Sequence, residues 1–201
     1  MSSVYFVRAW AWHDLAGARN RAIEFNRHTV NLTYWFNRDI KEGGFLMSEK
    51  LDLQAAIKDA MQTEKDAMDF YKYAAEKMFD DHAKRAFEIL AQEEKQHAHM
   101  FFEFYKGDDI TDFEAFIARE PDTESSWWKA LQQAMLGDFD ERKAIELAID
   151  QEAELEKELL EMAEKIDDPA VKNVYLANAR STHHHYELCM EERSALLGES
   201  T

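Results

Sequence analysis

A gap-free shift of 88 residues lays one half of this chain on the other. It pairs Ala56 with Ala144, Ile57 with Ile145, Ala60 with Ala148, Glu64 with Glu152, and Ala75-Glu76-Lys77 with Ala163-Glu164-Lys165. The same shift pairs Asp80 with Asp168, Lys84 with Lys172, Ala91 with Ala179 and His97 with His185. A repeat this long that matches apolar residues at helical intervals describes a helical hairpin present in two copies. Two such hairpins bury their apolar stripes most simply against each other.

The spacing of apolar residues fills in the elements. From Leu51 they recur every three or four positions through Ala56, Met61, Ala67, Tyr71 and Ala75, predicting a first long helix to about Phe79. Asp80-Asp81 is a start signal for a second, from about His82 to Tyr105. A third opens near Asp140 and runs to about Ile166. Asp167-Asp168-Pro169 then starts a fourth, reaching about Leu197, with proline at the first helical position. Between Gly107 and Gly137 the pattern is shorter, interrupted by Pro121, and reads as a crossover with one or two short helices. Six glycines and two prolines in 201 residues leave little material for β turns. The expected fold is all-α: a ferritin-like four-helix bundle of two helical hairpins joined by a crossover.

Residues 1–46 read differently. They hold three of the five tryptophans, four asparagines and a net charge of about +2 (six basic minus four acidic), against about −19 for the rest. Lys41-Glu42-Gly43-Gly44 is encodable by a ribosome-binding sequence just upstream of Met47. The segment is therefore expected to be translated upstream sequence, with Met47 the natural start and 47–201 the bundle. The competing reading is an amphipathic arm with Ile23, Val30 and Tyr34 on one stripe.

The formal charge of −17 argues against nucleic acid or anionic lipid as partners, since both recruit Lys and Arg. The single cysteine, Cys189, excludes an internal disulfide and any Cys-x-x-Cys knuckle, and is expected to be an ordinary buried thiol. No run of 18 apolar residues and no signal-like start is present, so the default location is cytoplasmic.

The informative feature lies inside the repeat. Glu64 falls between Met61 and Met68, and Glu152 between Ile149 and Leu159. Glu94 and His97 follow Phe87, Leu90 and Ala91, and His185 follows Val171, Tyr175 and Ala179. All five are polar residues on otherwise apolar stripes, so all should point inward. Buried, unpaired carboxylates cost several kcal/mol each, so an inward Glu/His cluster needs ion pairing or a metal. Glu94-Lys95-Gln96-His97 is a Glu-x-x-His, which places both side chains on one helix face within reach of one ion.

In Gln62-Thr63-Glu64, in Leu90-Ala91-Gln92-Glu93-Glu94-Lys95-Gln96-His97-Ala98 and in Ile149-Asp150-Gln151-Glu152, the chain resembles the rubrerythrin branch of the ferritin-like superfamily, over about Leu51 to Arg193. The resemblance implies a di-iron centre with a Glu from the first and third helices and a Glu-x-x-His from each of the second and fourth. Carried over, Glu64, Glu94, His97, Glu152 and His185 match as metal ligands, with the three glutamates also as catalytic residues. The fourth-helix carboxylate does not match: Thr182 stands there. Glu156, one turn beyond Glu152, is the substitute ligand; its alternative is a solvated charge. The family's further third-helix glutamate is Leu155 here, and the rubredoxin-like domain is absent.

Mixed nitrogen and oxygen ligation suits iron, with manganese or zinc as alternatives. The expected function is that of a non-haem di-iron oxidoreductase reacting with peroxide or oxygen, oxidising Fe(II) and served by a separate electron donor. The competing classes are a metal-binding or storage bundle without turnover, and a structural bundle with a degenerate site. A homodimer or larger homo-oligomer is expected, with Trp127-Trp128 as an exposed apolar patch. His183, His184, His99 and His82 are placed on the surface, and Tyr71 and the methionines in the core.

Overall fold

The structure is a computed structural model and describes residues 51–198. The readings of residues 1–46, and of Met47 as the start, therefore lie outside the described residues. Six helices follow in order: α1 (Leu53–Ala75), α2 (Asp81–Phe102), α3 (Phe113–Ile117), α4 (Ser126–Ala134), α5 (Glu141–Lys165) and α6 (Pro169–Leu197).

The caps fix these boundaries. Asp52, Asp80, Asp140 and Asp168 each sit in extended backbone and accept from backbone N–H groups of the first turn of α1, α2, α5 and α6. Each side chain satisfies donors the helix itself leaves unpaired. Asp80 and Asp168 are repeat mates, so the two hairpins turn with the same device. Pro169 occupies the first turn of α6, and Gly198 ends it at a φ of 66°, a left-handed conformation that favours glycine. The first helix ends earlier than the sequence pattern suggests. Its last turn gives way at Glu76, whose N–H bonds to Ala74 and Lys72 carbonyls.

The architecture is an all-helical ferritin-like bundle. α1 packs along α2, and α5 along α6; α2 meets α6, and α4 lies against both α1 and α5. The crossover is thus part of the core. Trp127 on α4 is 2% exposed, with its ring 5.3 Å from Phe70 and 5.6 Å from Tyr71, while Tyr71 meets Phe87 edge-on at 5.0 Å. Burying such rings contributes on the order of 2–3 kcal/mol each. Trp127-Trp128 is therefore not an exposed patch. Trp127 is buried, and the partly buried Trp128 packs on Tyr73 at 5.3 Å. The amphipathic α4 can bury these rings only because α1 presents a second apolar face to it.

That second covered face explains a further feature. Lys65, Asp66 and Asp69 on α1 are buried although charged, and Lys65 Nζ donates to Asp69 at 2.6 Å while Gln62 donates to Asp66 at 2.8 Å. A helix covered on both sides cannot turn its polar residues to water, so they pair internally. At the hairpin turn, the N–H groups of Phe79 and Asp80 both donate to Glu141 Oε1 at 2.9 Å, tying the α1–α2 connection to the start of α5.

Candidate metal centre

Each of the five polar residues that the sequence places on apolar stripes reaches the core. Glu64, Glu94, Glu152 and His185 are 0% exposed and His97 is 6% exposed. Their burial follows from helix phase: Glu64 lies one turn from Met61 and Met68 on α1, and Glu152 one turn from Ala148 and Ile149 on α5.

Glu94 stands at the centre. Its Oε2 lies 2.8 Å from His97 Nδ1 and its Oε1 lies 3.0 Å from His185 Nδ1, so one carboxylate spans both imidazoles. The two rings stack at 5.2 Å with 19° between their planes. Each histidine has a second carboxylate from its own hairpin: Glu64 Oε2 is 3.8 Å from His97 Nδ1, and Glu152 Oε1 is 3.7 Å from His185 Nδ1. The repeat thus reappears as a pseudo-twofold arrangement in which Glu64–His97 mirrors Glu152–His185. The mate of Glu94 is Thr182, whose buried Oγ1 has no hydrogen-bond partner.

Outer contacts hold these groups in place. Tyr71 donates its hydroxyl to Glu152 Oε1 at 2.5 Å, and Cys189 Sγ lies 3.7 Å from the same hydroxyl oxygen. On the far side of His185, Nε2 sits 2.8 Å from Glu93 Oε2. A carboxylate on the outer nitrogen fixes the ring and aims the inner nitrogen at the cluster, a common device behind metal-binding histidines. Glu93 was invisible to helix phase, because it is half exposed and acts on a residue of another helix.

The electrostatics follow from burial and from these contacts. Burial alone would push Glu94 up, but the hydrogen bonds from His185 and His97 hold it far below the usual carboxylate range. Burial would lower His185, yet the Glu152 and Glu94 carboxylates raise it to about 11. Glu152 is pushed up to about 7 by burial and by the Glu94 charge, and Glu64 is raised well above the ordinary value by the same two causes. The Tyr71 hydroxyl is also raised, by burial first and then by Cys189 and Glu152.

The cluster fits a cation. Both oxygens of Glu64 and Oε2 of Glu152 are buried with no hydrogen-bond partner. Such acceptors are costly to leave bare, and a metal ion satisfies several at once. Glu94, His97 and His185 offer one ligand atom each within 4.8 Å of one another. Carboxylate and imidazole donors together suit iron, manganese or zinc.

Residues 23–105 match the model of the rubrerythrin family. Over this range the chain is rubrerythrin-like. The matched range contains α1 and α2, and with them Glu64, Glu94 and His97. Glu152 and His185 lie beyond it, and join the rubrerythrin-like half through the internal repeat and the distances given above. No curated protein and no solved structure matches the chain.

Glu156 is not brought to the cluster. It is half-buried, and its Oε2 pairs with Nδ1 of the exposed His183 at 3.0 Å. Four residues past Glu152 is slightly more than one turn, and the rotation carries Glu156 to the outer α5–α6 groove beside Leu160 and Arg180. The substitution expected for Thr182 is therefore not made by this residue. His184 and His99 are exposed as their phase predicts. His82 is exposed as well, yet its Nδ1 lies 3.0 Å from the buried Glu192, linking the start of α2 to the end of α6. Cys189 is buried, as expected.

Proposed function

We propose that the chain is a non-haem di-iron oxidoreductase of the rubrerythrin-like type, which reduces peroxide or dioxygen while oxidising Fe(II). The observation that carries this reading is the duplicated ligand set: two histidines, each with its own buried glutamate, spanned by the single carboxylate of Glu94. That arrangement supports a reading with two positions related by the repeat. Glu64, His97 and Glu94 would hold the first ion, and Glu152, His185 and Glu94 the second.

When bound, two ferrous ions supply two electrons, enough with two protons to turn one peroxide into two waters and leave two ferric ions. The chain's own part is to bind, orient and manage protons. Glu94, held ionised by its two imidazoles, keeps the two positions together. Tyr71 donates to Glu152 Oε1 and holds that carboxylate in place, while Oε2 has no hydrogen-bond partner and would be available to an ion. Glu152, pushed up to about 7, is a group that exchanges a proton near neutral pH as charge in the centre changes, and Glu64 is raised by burial as well. Full burial of four of the five residues keeps bulk water from the centre.

A separate electron donor returns the centre to its reduced state, since a single cysteine cannot build a Cys-x-x-Cys iron site. The protein partners proposed are this donor and further copies of the chain, and the acidic balance argues against nucleic acid and anionic membrane surfaces. No helix among the described residues is long and apolar enough to cross a membrane.

One observation favours a second reading, metal binding without turnover: the unpartnered Thr182 in place of a fourth-helix carboxylate. The two readings part under anaerobic Fe(II) loading followed by peroxide. The oxidoreductase reading expects two irons per chain, one peroxide consumed per two irons, and ultraviolet charge-transfer absorption from oxidised iron, with all three lost in Glu94→Ala. Two irons that stay ferrous, or peroxide loss no faster than with free Fe(II), would leave the binding reading in its place.

A further inference from the structure

The internal repeat puts Thr182 opposite Glu94. Residue 182 lies one turn before His185 on α6, as Glu94 does before His97 on α2, and both helices pack against each other. Thr182 is 0% exposed and its hydroxyl oxygen has no partner. One turn earlier on the same face, Asn178 is also 0% exposed. Its Nδ2 donates to the Val174 carbonyl at 3.0 Å, and its Oδ1 has no partner. Two consecutive buried polar side chains with unpartnered atoms are rare in a folded core and point to something that completes them.

The charges of the centre say what that is. This step rests on the reading of two divalent ions in the cluster. Two such ions bring four positive charges, and Glu64, Glu94 and Glu152 supply three negative ones. Tyr71, whose hydroxyl donates to Glu152, and the buried thiol Cys189 are neutral groups at ordinary pH and add no charge. Glu93 stands on the outer nitrogen of His185 with its side chain 41% exposed, where water screens it. One positive charge is then left in a buried site, on the side where the repeat lacks its second spanning carboxylate. An uncompensated charge there is costly, and one monoanion removes it.

We propose that the Thr182 side of the centre is a binding site for one small monoanion of the carboxylate class, the size of formate, which takes the place of the side-chain carboxylate that the repeat lacks. Threonine is shorter than the glutamate its repeat mate carries, and its unpartnered hydroxyl would donate to the anion's outer oxygen. Thr182 thus makes one ligand of the centre exchangeable. A chain with glutamate there would hold the same charge permanently.

The test uses the full chain loaded anaerobically with Co(II), with formate as probe and the visible cobalt spectrum and calorimetry as readouts. Cobalt content is measured first. Two cobalt ions per chain, and a saturable spectral change with one formate per chain, are the expected result. In Thr182→Glu, which supplies its own carboxylate, and in Thr182→Leu, which fills the space without charge, formate affinity is expected to fall about tenfold or more. Circular dichroism establishes which variants are folded. Two bound cobalt ions with no formate response in the wild type, or an undiminished response in either folded variant, would overturn the anion site and leave the di-metal reading standing. Fewer than two cobalt ions in the wild type would overturn both.

Discussion

Metal loading of this protein is expected to release protons, in a number set by pH. In the metal-free chain His185 is raised to about 11 by the Glu152 and Glu94 carboxylates around it, against its burial, and Glu152 is pushed up to about 7 by burial and by Glu94. Glu64 is raised as well. A ligand nitrogen or oxygen must give up its proton to take a metal ion. At pH 6, below both values, Glu152 and His185 each contribute one proton, about two per chain. At pH 9, above the first value and below the second, Glu152 is already ionised and the release is smaller by about one. Calorimetric titration with Zn(II) in buffers of different ionisation enthalpy counts the protons directly. Glu152→Gln is expected to remove about one proton from the count at pH 6. A release of zero, or one identical at the two pH values, would refute the argument, because it would mean that the carboxylates and His185 do not exchange protons for metal.

Two other outcomes follow from the same geometry. Glu94→Ala in the metal-free protein removes the acceptor from both imidazoles and leaves buried charge uncompensated, at a cost of about 3–5 kcal/mol; thermal melting should show a drop of roughly 6–20 °C. Glu156→Ala, which removes only the outer pairing with His183, is expected to leave metal stoichiometry unchanged by elemental analysis and to shift the melting temperature little.

Much of this was legible in the sequence. Aspartates at 80, 140 and 168 start three of the four long helices by local chemistry alone, and the 88-residue repeat declares the hairpins without reference to any contact. The inward direction of Glu64, Glu94, His97, Glu152 and His185 follows from helical phase, because the residues above and below each are apolar. The absence of a mate for Glu94 at Thr182 was equally plain, since it is a matter of aligning one half of the chain with the other.

What the tertiary structure decided has a common physical cause. Periodicity fixes the angle of a side chain about its own helix axis, but not the stagger between helices or what covers each face. Stagger turns Glu156 to His183 instead of the centre, brings Glu93 to the outer nitrogen of His185, and sets the Tyr71 hydroxyl on Glu152. Coverage decides that Trp127 is core rather than surface, and that Lys65 and Asp69 meet inside the protein, because the crossover closes over the second face of α1. The sequence by itself determined the helices, their duplication and the five residues that converge. Only the packing of one helix on another decided that Glu94 spans both histidines, and that the Thr182 hydroxyl is buried without a hydrogen-bond partner.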